Sequence, residues 1–287
     1  MSPDALRSLG MPPAPDEAST AASQRLDGRV VFVAGGGSAG PGWSIGRASC
    51  VLYARLGARV CVADRDRESA ELTVKCIAAE GGEAVALFGD VATEEDVKRM
   101  FAEARAAYGP IDVLHHNVGI GKPSGPVEIS LEDWDRANDV NVRSLLLCAR
   151  EVLPEMQQRK HGVVVTVSSI AGTRYLGFPH IAYGVTKAAV IQFTRLIALQ
   201  YAGDGIRANT IVPGLVDTPR IAHSVANMYA ADDLDKARAA RDRQVPLGRM
   251  GVAWEIAHAA AFLASNASSY VTGTELLVDG GITAKFA

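Results

Sequence analysis

The sequence predicts an α/β fold, a doubly wound parallel sheet with helices on both faces, and three observations predict it. Short unbroken apolar runs, such as Val30-Val31-Phe32-Val33-Ala34 and Gly162-Val163-Val164-Val165-Thr166-Val167, alternate with longer amphipathic segments. Strands covered on both faces read this way. A glycine-rich turn follows the first run directly and opens a helix. Polar and glycine residues recur where the runs end, the edge at which an open α/β sheet binds its ligand. No internal repeat, second core or linker interrupts the pattern, so residues 28–287 are expected to form one domain.

Residues 1–27 are rich in Ala, Ser, Pro and charge without helix or strand periodicity, which predicts a disordered tail. Val30–Ala34 is the first strand. The turn from Gly35 to Gly46 leads into a helix from Arg47 to Leu56, and Arg59–Asp64 is the second strand. Strand, glycine turn, helix and a strand ending in an acid form a dinucleotide-binding unit. Glycines let the backbone approach a pyrophosphate, the helix N-terminus offers unpaired N–H groups, and Asp64 is placed to accept hydrogen bonds from ribose hydroxyls. A 2′-phosphate there meets like charge, so NAD is expected rather than NADP. Arg65 weighs the other way, because a neighbouring guanidinium partly accommodates that phosphate.

A helix over Arg67–Ala79 and a strand Ala84–Phe88 come next, followed by Gly89-Asp90-Val91. Thr93 is placed to cap a helix whose first turn holds Glu94, Glu95 and Asp96, where the dipole favours acids. Ile111–His116 is the fourth strand and runs into Asn117-Val118-Gly119. Ser130 starts a long helix with Trp134, Ala137, Leu145 and Cys148 on its apolar face. Asn141 shares that face and, as an amide among apolar neighbours, requires partners. Gly162–Val167 delivers Ser168 and Ser169 to the sheet edge. Tyr183–Tyr201 is a helix, and Ala208–Val212 is the strand before Pro213-Gly214. Beyond Asp217-Thr218-Pro219, residues 220–245 mix apolar and charged types, which predicts a mobile helical lid. Trp254–Ala264 is a helix and Glu275–Asp279 the last strand.

Tyr183 and Lys187, four apart on a helix, face the same way, so the ammonium can lie beneath the phenol and favour its ionised form. Tyr183 is thereby a candidate proton donor and acceptor, with Ser169 or Ser168 placed to hold a substrate oxygen. A net charge of −3 over 287 residues lacks the basic face that a nucleic-acid partner requires. No apolar run approaches the roughly 20 residues of a membrane span. The N-terminal residues lack the basic start and apolar centre of a secretory signal, so a cytoplasmic location is expected. Cys50, Cys61, Cys76 and Cys148 sit in apolar patterns without a C-x-x-C pair and read as buried free thiols. His115-His116 reads as a packing or hydrogen-bonding pair, because no third metal ligand is near in sequence. Trp43 either covers a cofactor or fills the base of the long turn. Arg174 and His180 either contact substrate or face water.

Taken in order, Gly35 with Ser44-Ile45-Gly46, Asp64, Asp90-Val91, Asn117-Val118-Gly119, Asn141, Ser169, Tyr183 with Lys187, and Pro213-Gly214 with Thr218 resemble the motifs of the short-chain dehydrogenase/reductase family. The resemblance covers nearly everything after the tail. It implies a Rossmann-type, seven-stranded parallel sheet in a three-layer α/β/α sandwich, usually assembled as a homotetramer or homodimer. It makes Tyr183 the acid/base and gives Lys187 both the phenol and the nicotinamide ribose. Ser169 would orient the reacting carbonyl or hydroxyl, and Asn141 would hold a water of the proton relay. Asn117 and Gly119 would pack on the adenosine side, Asp90 and Val91 on the adenine, and Thr218, beside Pro213 and Gly214, on the nicotinamide amide or phosphates. The implied reaction is hydride transfer between NAD and a small-molecule secondary alcohol or ketone.

The sequence departs from the family pattern in three places. Ala34 stands where Thr is usual and the glycine loop is five residues longer, leaving Gly36-x-x-x-Gly40-Pro41-Gly42 as a rival register to Ser44-Ile45-Gly46. Ser169 precedes Tyr183 by 14 residues rather than 13, and Val118 replaces Ala. The family's enoyl reductase branch has a similarly extended loop but separates its Tyr and Lys by six residues, where three intervene here. A non-enzymatic nucleotide sensor of the same fold commonly loses the Tyr or the Lys, and both are kept.

Overall fold

In the computed structural model, which describes residues 17–220 and 234–285, the elements follow the order read from the sequence. The strands are β1 (Val30–Ala34), β2 (Arg59–Asp64), β3 (Glu83–Phe88), β4 (Val113–His116), β5 (Gly162–Val167), β6 (Ile206–Pro213), β7 (Val216–Asp217), β8 (Gly251–Val252) and β9 (Glu275–Val278). The helices are α1 (Glu17–Gln24), α2 (Ile45–Arg55), α3 (Arg67–Ala79), α4 (Glu94–Tyr108), α5 (Leu131–Asn138), α6 (Ser144–Arg159), α7 (Ile181–Tyr201), α8 (Leu234–Asp242) and α9 (Ala253–Ala264). Seven strands form one parallel sheet in the order β3-β2-β1-β4-β5-β6-β9, and β7 and β8 pair separately.

Unbroken apolar strands form a central sheet because each face needs its own cover. On β1, Val31 and Val33 join a core with Ala48 and Val51 of α2 and Ala257 and Ala260 of α9. Val30, Phe32 and Ala34 point the other way, into a core with Phe101 of α4 and Val152 of α6. Phe32 stacks on Phe101 with ring centroids 4.0 Å apart. Burying each of these rings contributes about 2 kcal/mol. The chain winds from β1 out to β3 and returns to β4, so the strand order reverses between β1 and β4. That reversal opens a crevice at the carboxyl ends of the strands.

Three expectations need correction. Of the disordered tail expected over residues 1–27, residues 17–27 are ordered. Glu17–Gln24 is helical, and Leu26 is fully buried in the core, its N–H donating to the Leu56 carbonyl over 2.8 Å. Residues 1–16 lie outside the described residues. The helix begun by Ser130, whose hydroxyl accepts from the Asp133 N–H, is not continuous. A π-helical turn over Asp139–Arg143 separates α5 from α6 and holds Asn141. Thr93 stands at the N-cap of α4, yet its hydroxyl makes no capping bond. Of the lid expected over 220–245, residues 221–233 lie outside the described residues and α8 is helical. Among the described residues no helix is long and apolar enough to cross a membrane.

Candidate active site

One cavity of about 830 Å³ lies along the crevice, within the ~300–1,000 Å³ of typical small-molecule sites. Gly35, Ser44, Ile45, Asp64, Asp90, Val91, Asn117, Gly119, Ser169, Tyr183, Lys187, Pro213, Gly214 and Thr218 all line it. Gly46 and Asn141 stand behind the wall rather than in it.

The glycine turn is built by close approach. A Cβ on Gly46 would lie 1.9 Å from the Gly35 carbonyl oxygen, so α2 reaches the end of β1 only with glycine there. Gly35 itself has a φ of 79°, and its added Cβ would meet Val118 at 3.0 Å. Gly36 and Gly42 of the rival register also need glycine, through a Cβ contact with Val62 at 2.8 Å and a φ of 108°, but it is Gly46 that lets α2 touch the end of β1. Ser44, standing where glycine is common, caps α2. Its hydroxyl accepts from the Arg47 N–H at 3.1 Å and donates to the Gly37 carbonyl at 2.5 Å.

Arg47 is a buried residue behind the glycine turn that sequence reasoning missed. Its buried guanidinium donates to the Gly42 carbonyl at 2.8 Å, to Thr73 Oγ1 at 3.1 Å and to Ser69 Oγ at 3.2 Å, tying the long loop to α3. A cation in the first turn of a helix, against the dipole, was the available signal. Trp43, 39% exposed, packs on Trp254 with centroids 4.9 Å apart and does not line the cavity.

Asp64 ends β2 with Oδ2 accepting from the Gly37 N–H at 2.9 Å and Oδ1 from the Asp66 N–H at 3.1 Å. Both oxygens retain acceptor capacity toward the cavity. Asp90 accepts from Ala92 N–H at 2.9 Å and from Arg136 at 2.7 Å. Burial pulls its pKa upward, but these hydrogen bonds win and hold the carboxyl below its usual range. The Asn117 amide donates to the Gly35 carbonyl at 3.0 Å, joining the ends of β4 and β1. Gly214 packs where a Cβ would fall 2.7 Å from Asp279.

At the other end of the crevice, α7 presents Tyr183 and Lys187 on one face. Lys187 is 2% exposed, and its Nζ lies 5.7 Å from the Tyr183 ring centroid. The ammonium donates to the carbonyls of Val118 at 3.0 Å and Val167 at 2.8 Å. Gly119 leaves room for it, since a Cβ there would sit 2.7 Å from Nζ. The two serines are now distinguishable. Ser168 Oγ donates to the Lys187 carbonyl at 2.7 Å, whereas Ser169 Oγ accepts from the Ala171 N–H at 3.2 Å and its own proton has no acceptor among the described residues. Asn141 accepts from the Ile120 N–H and donates to the Ile120 carbonyl and Thr186 Oγ1, each at 2.8 Å. Both its amide protons are committed, so the water expected of Asn141 is not one held by those N–H groups. Its visible role is to fasten the loop after β4 to α7.

His180 stacks on the Tyr183 ring, centroids 4.8 Å apart, and lines the cavity together with Arg174. The buried pair His115 and His116 bonds to Tyr53 Oη at 2.6 Å and Ser144 Oγ at 2.8 Å, and burial pushes both imidazoles down to about 3. Among the described residues no group of three or more His, Cys, Asp or Glu side chains could hold a metal ion. The four cysteines are free thiols, with Cys76 only half-buried.

Burial, and after it the charge of Arg220, lowers the Lys187 ammonium from 10.5 to about 7. Folding therefore disfavours its charged form. The resulting cost to stability is full below about pH 7, shrinks as pH rises toward 10.5, and is gone above it. Without cofactor, wild-type protein is expected to gain stability relative to Lys187→Met by up to about 1.4 kcal/mol per pH unit above neutrality. Urea unfolding of both proteins across that window checks this, and a pH-independent difference would refute it.

A family profile described as Enoyl-(Acyl carrier protein) reductase matches residues 40–283. The chain is 37% identical to 3beta-hydroxysteroid dehydrogenase 1 of Eggerthella lenta, over 90% of this chain and 95% of the relative. It is 38% identical to 2,5-dichloro-2,5-cyclohexadiene-1,4-diol dehydrogenase of Sphingobium indicum, over 90% and 98%. Levodione reductase has a similar solved structure, at TM-score 0.86 and 31% identity, covering 91% of this chain and all of that one. So does a gluconate 5-dehydrogenase from Burkholderia cenocepacia in complex with NADP and tartrate, at TM-score 0.81 and 31% identity over 93% and 99%. Sheet order, crevice and relatives agree: the chain is an oxidoreductase of the short-chain dehydrogenase/reductase family.

Proposed function

We propose that the protein interconverts a secondary alcohol and a ketone with NAD(H), using Tyr183 as general acid and base. The observation that carries this reading is the meeting of a phenol, a buried ammonium and an uncommitted hydroxyl proton in one cavity. Bound NAD would lie along the Gly35–Gly46 turn, Asp64 and Asn117, and supplies the hydride acceptor. In the oxidation direction, Ser169 Oγ–H donates to the substrate oxygen and holds it beside the phenol. Tyr183 takes the hydroxyl proton as the carbon gives up its hydride, and Lys187 stabilises the phenolate charge. In reduction Tyr183 returns that proton to the carbonyl oxygen. The names of two relatives, a hydroxysteroid dehydrogenase and a cyclohexadiene diol dehydrogenase, support a hydroxyl on a ring. The same reading includes a homotetramer or homodimer in the cytoplasm.

The test is NAD reduction by purified protein across a panel of cyclic secondary alcohols. No turnover in either direction, with NAD binding intact, would favour a nucleotide sensor. NAD is preferred over NADP because the Asp64 carboxylate meets a 2′-phosphate with like charge, while Arg65 lines the same cavity. Asp64→Asn is expected to raise kcat/KM for NADP about tenfold relative to NAD, the equivalent of ~1.4 kcal/mol. A wild-type preference for NADP contradicts the assignment. Enoyl reduction is the second reading, favoured by the description of the matching profile and by the long glycine loop. A ketone and an enoyl thioester assayed side by side with NADH discriminate the two.

A further inference from the structure

His180 stands at the N-cap of α7 and makes no capping hydrogen bond with its side chain. The imidazole turns instead to the loop after β4, where Nδ1 lies 3.0 Å from the Lys122 carbonyl oxygen. A carbonyl can only accept, so the proton of the neutral ring is on Nδ1, which donates it. Nε2 is then a bare acceptor. It has no partner among the described residues, and the residue lines the same cavity as Tyr183.

The ring is held in place by its neighbours. Its plane lies 18° from that of Tyr183 with centroids 4.8 Å apart, and Phe178 lies against it at 5.8 Å. Gly121 lets the loop close over both side chains, since a Cβ there would fall 3.0 Å from His180 Cε1 and 2.8 Å from Tyr183 Cβ. Protonation would turn Nε2 into a donor, but burial lowers the His180 pKa from 6.5. The Lys122 bond works against that shift and the Arg220 charge adds to it, leaving the net direction downward. The imidazole is therefore neutral at neutral pH. Bracing the phenol uses the face of the ring and Nδ1, and Nε2 is left over. Arg220, with its guanidinium carbon 5.7 Å from the same phenol ring, has donors only. The imidazole supplies what a guanidinium cannot, an acceptor for a ligand O–H.

We propose that His180 selects the substrate: its Nε2 accepts a hydrogen bond from a second hydroxyl carried close to the reacting carbon, so that the substrate pair is a diol and its hydroxyketone. This rests on the reading of the site as the place where an alcohol or ketone meets Tyr183. The short spacing follows from the stack, because rings 4.8 Å apart are spanned by oxygens on adjacent or next-but-one carbons. A substrate with an ether or methyl group at that place strips Nε2 of water and returns no donor, which weakens its hold.

The full chain with NADH tests it. Reduction of 2- and 3-hydroxycyclohexanone is compared with that of their O-methyl ethers, which keep the oxygen and lose the donor. In at least one pair the hydroxyketone is expected to show about tenfold higher kcat/KM. His180→Phe keeps an aromatic face against Tyr183 and removes both nitrogens, and it is expected to bring the two ketones of that pair level. His180→Gln, whose amide oxygen can accept in place of Nε2, is expected to retain part of the preference. NADH titration verifies that the cofactor site of each variant is intact. A preference undiminished in His180→Phe would assign it to crowding by the methyl group and overturn the inference. Reduction of hydroxyketone and ether alike sinks the inference and leaves the proposed reaction standing. Where neither is reduced, the same ketones are titrated into protein saturated with NAD. Tighter binding of the hydroxyketone that His180→Phe abolishes keeps the acceptor and sinks the reaction, and binding without preference overturns the inference.

Discussion

Tyr183→Phe protein is expected to turn over about 10³-fold more slowly than wild type while binding NAD with nearly unchanged affinity. The substitution removes one oxygen and leaves the ring that His180 stacks on and that Arg220 and Lys187 flank. The packing of α7 is therefore preserved, and the loss falls on proton transfer. Single-turnover kinetics with the best alcohol of the panel, beside calorimetric titration of NAD, separates the two quantities. A variant that keeps the parent rate removes Tyr183 from its role and with it the proposed mechanism. Equal losses of rate and of NAD affinity would instead assign the phenol to cofactor binding.

The second large effect is expected at Gly46. Gly46→Ala places a methyl carbon 1.9 Å from the Gly35 carbonyl oxygen, a backbone atom that no side-chain rotation can move away. Either α2 withdraws from the end of β1 or the turn unwinds, at an expected cost of about 3 kcal/mol. The N-terminus of α2 and the turn are the surfaces proposed for the pyrophosphate, and an ångström of displacement there is expected to weaken NAD binding about 100-fold. Urea unfolding and NAD titration measure the two effects. Unchanged NAD affinity would mean that the dinucleotide does not lie on this turn, and would revive the register through Gly42.

The sequence made the sheet legible because its strands are buried on both faces. Gly162–Val167 and Arg59–Asp64 carry continuous apolar centres, and each strand of the seven-stranded sheet matches its apolar run within a residue or two, whereas the two-residue strands β7 and β8 had no such run to announce them. The residues that meet in the cavity were legible where spacing alone fixes a shared helix face, as with Tyr183 and Lys187 four apart on α7. The π turn at Asp139–Arg143 was not, because one residue's worth of extra winding leaves the apolar spacing of Trp134, Ala137, Leu145 and Cys148 compatible with an unbroken helix. Arg47 was legible only as an unusual cation in the first turn of α2, and its contacts were not. Its partners Gly42, Ser69 and Thr73 converge only after α3 has folded against α2, and no local pattern encodes that meeting. Thr93 shows the opposite failure. The cap position was right, but the first turn of α4 makes a different bond, Asp96 accepting from the Asp90 N–H at 2.9 Å.

The two carbonyls that receive the Lys187 ammonium belong to segments following neighbouring strands, Val118 after β4 and Val167 at the end of β5. One side chain from α7 thus rivets two adjacent lips of the crevice from below. Deleting that amine loosens the frame along with the proposed chemistry, so an inactive Lys187 variant is a confounded experiment in which scaffold damage and lost function look alike. Tyr183, whose hydroxyl can be removed without disturbing any such joint, is the cleaner knockout for anyone assaying this enzyme.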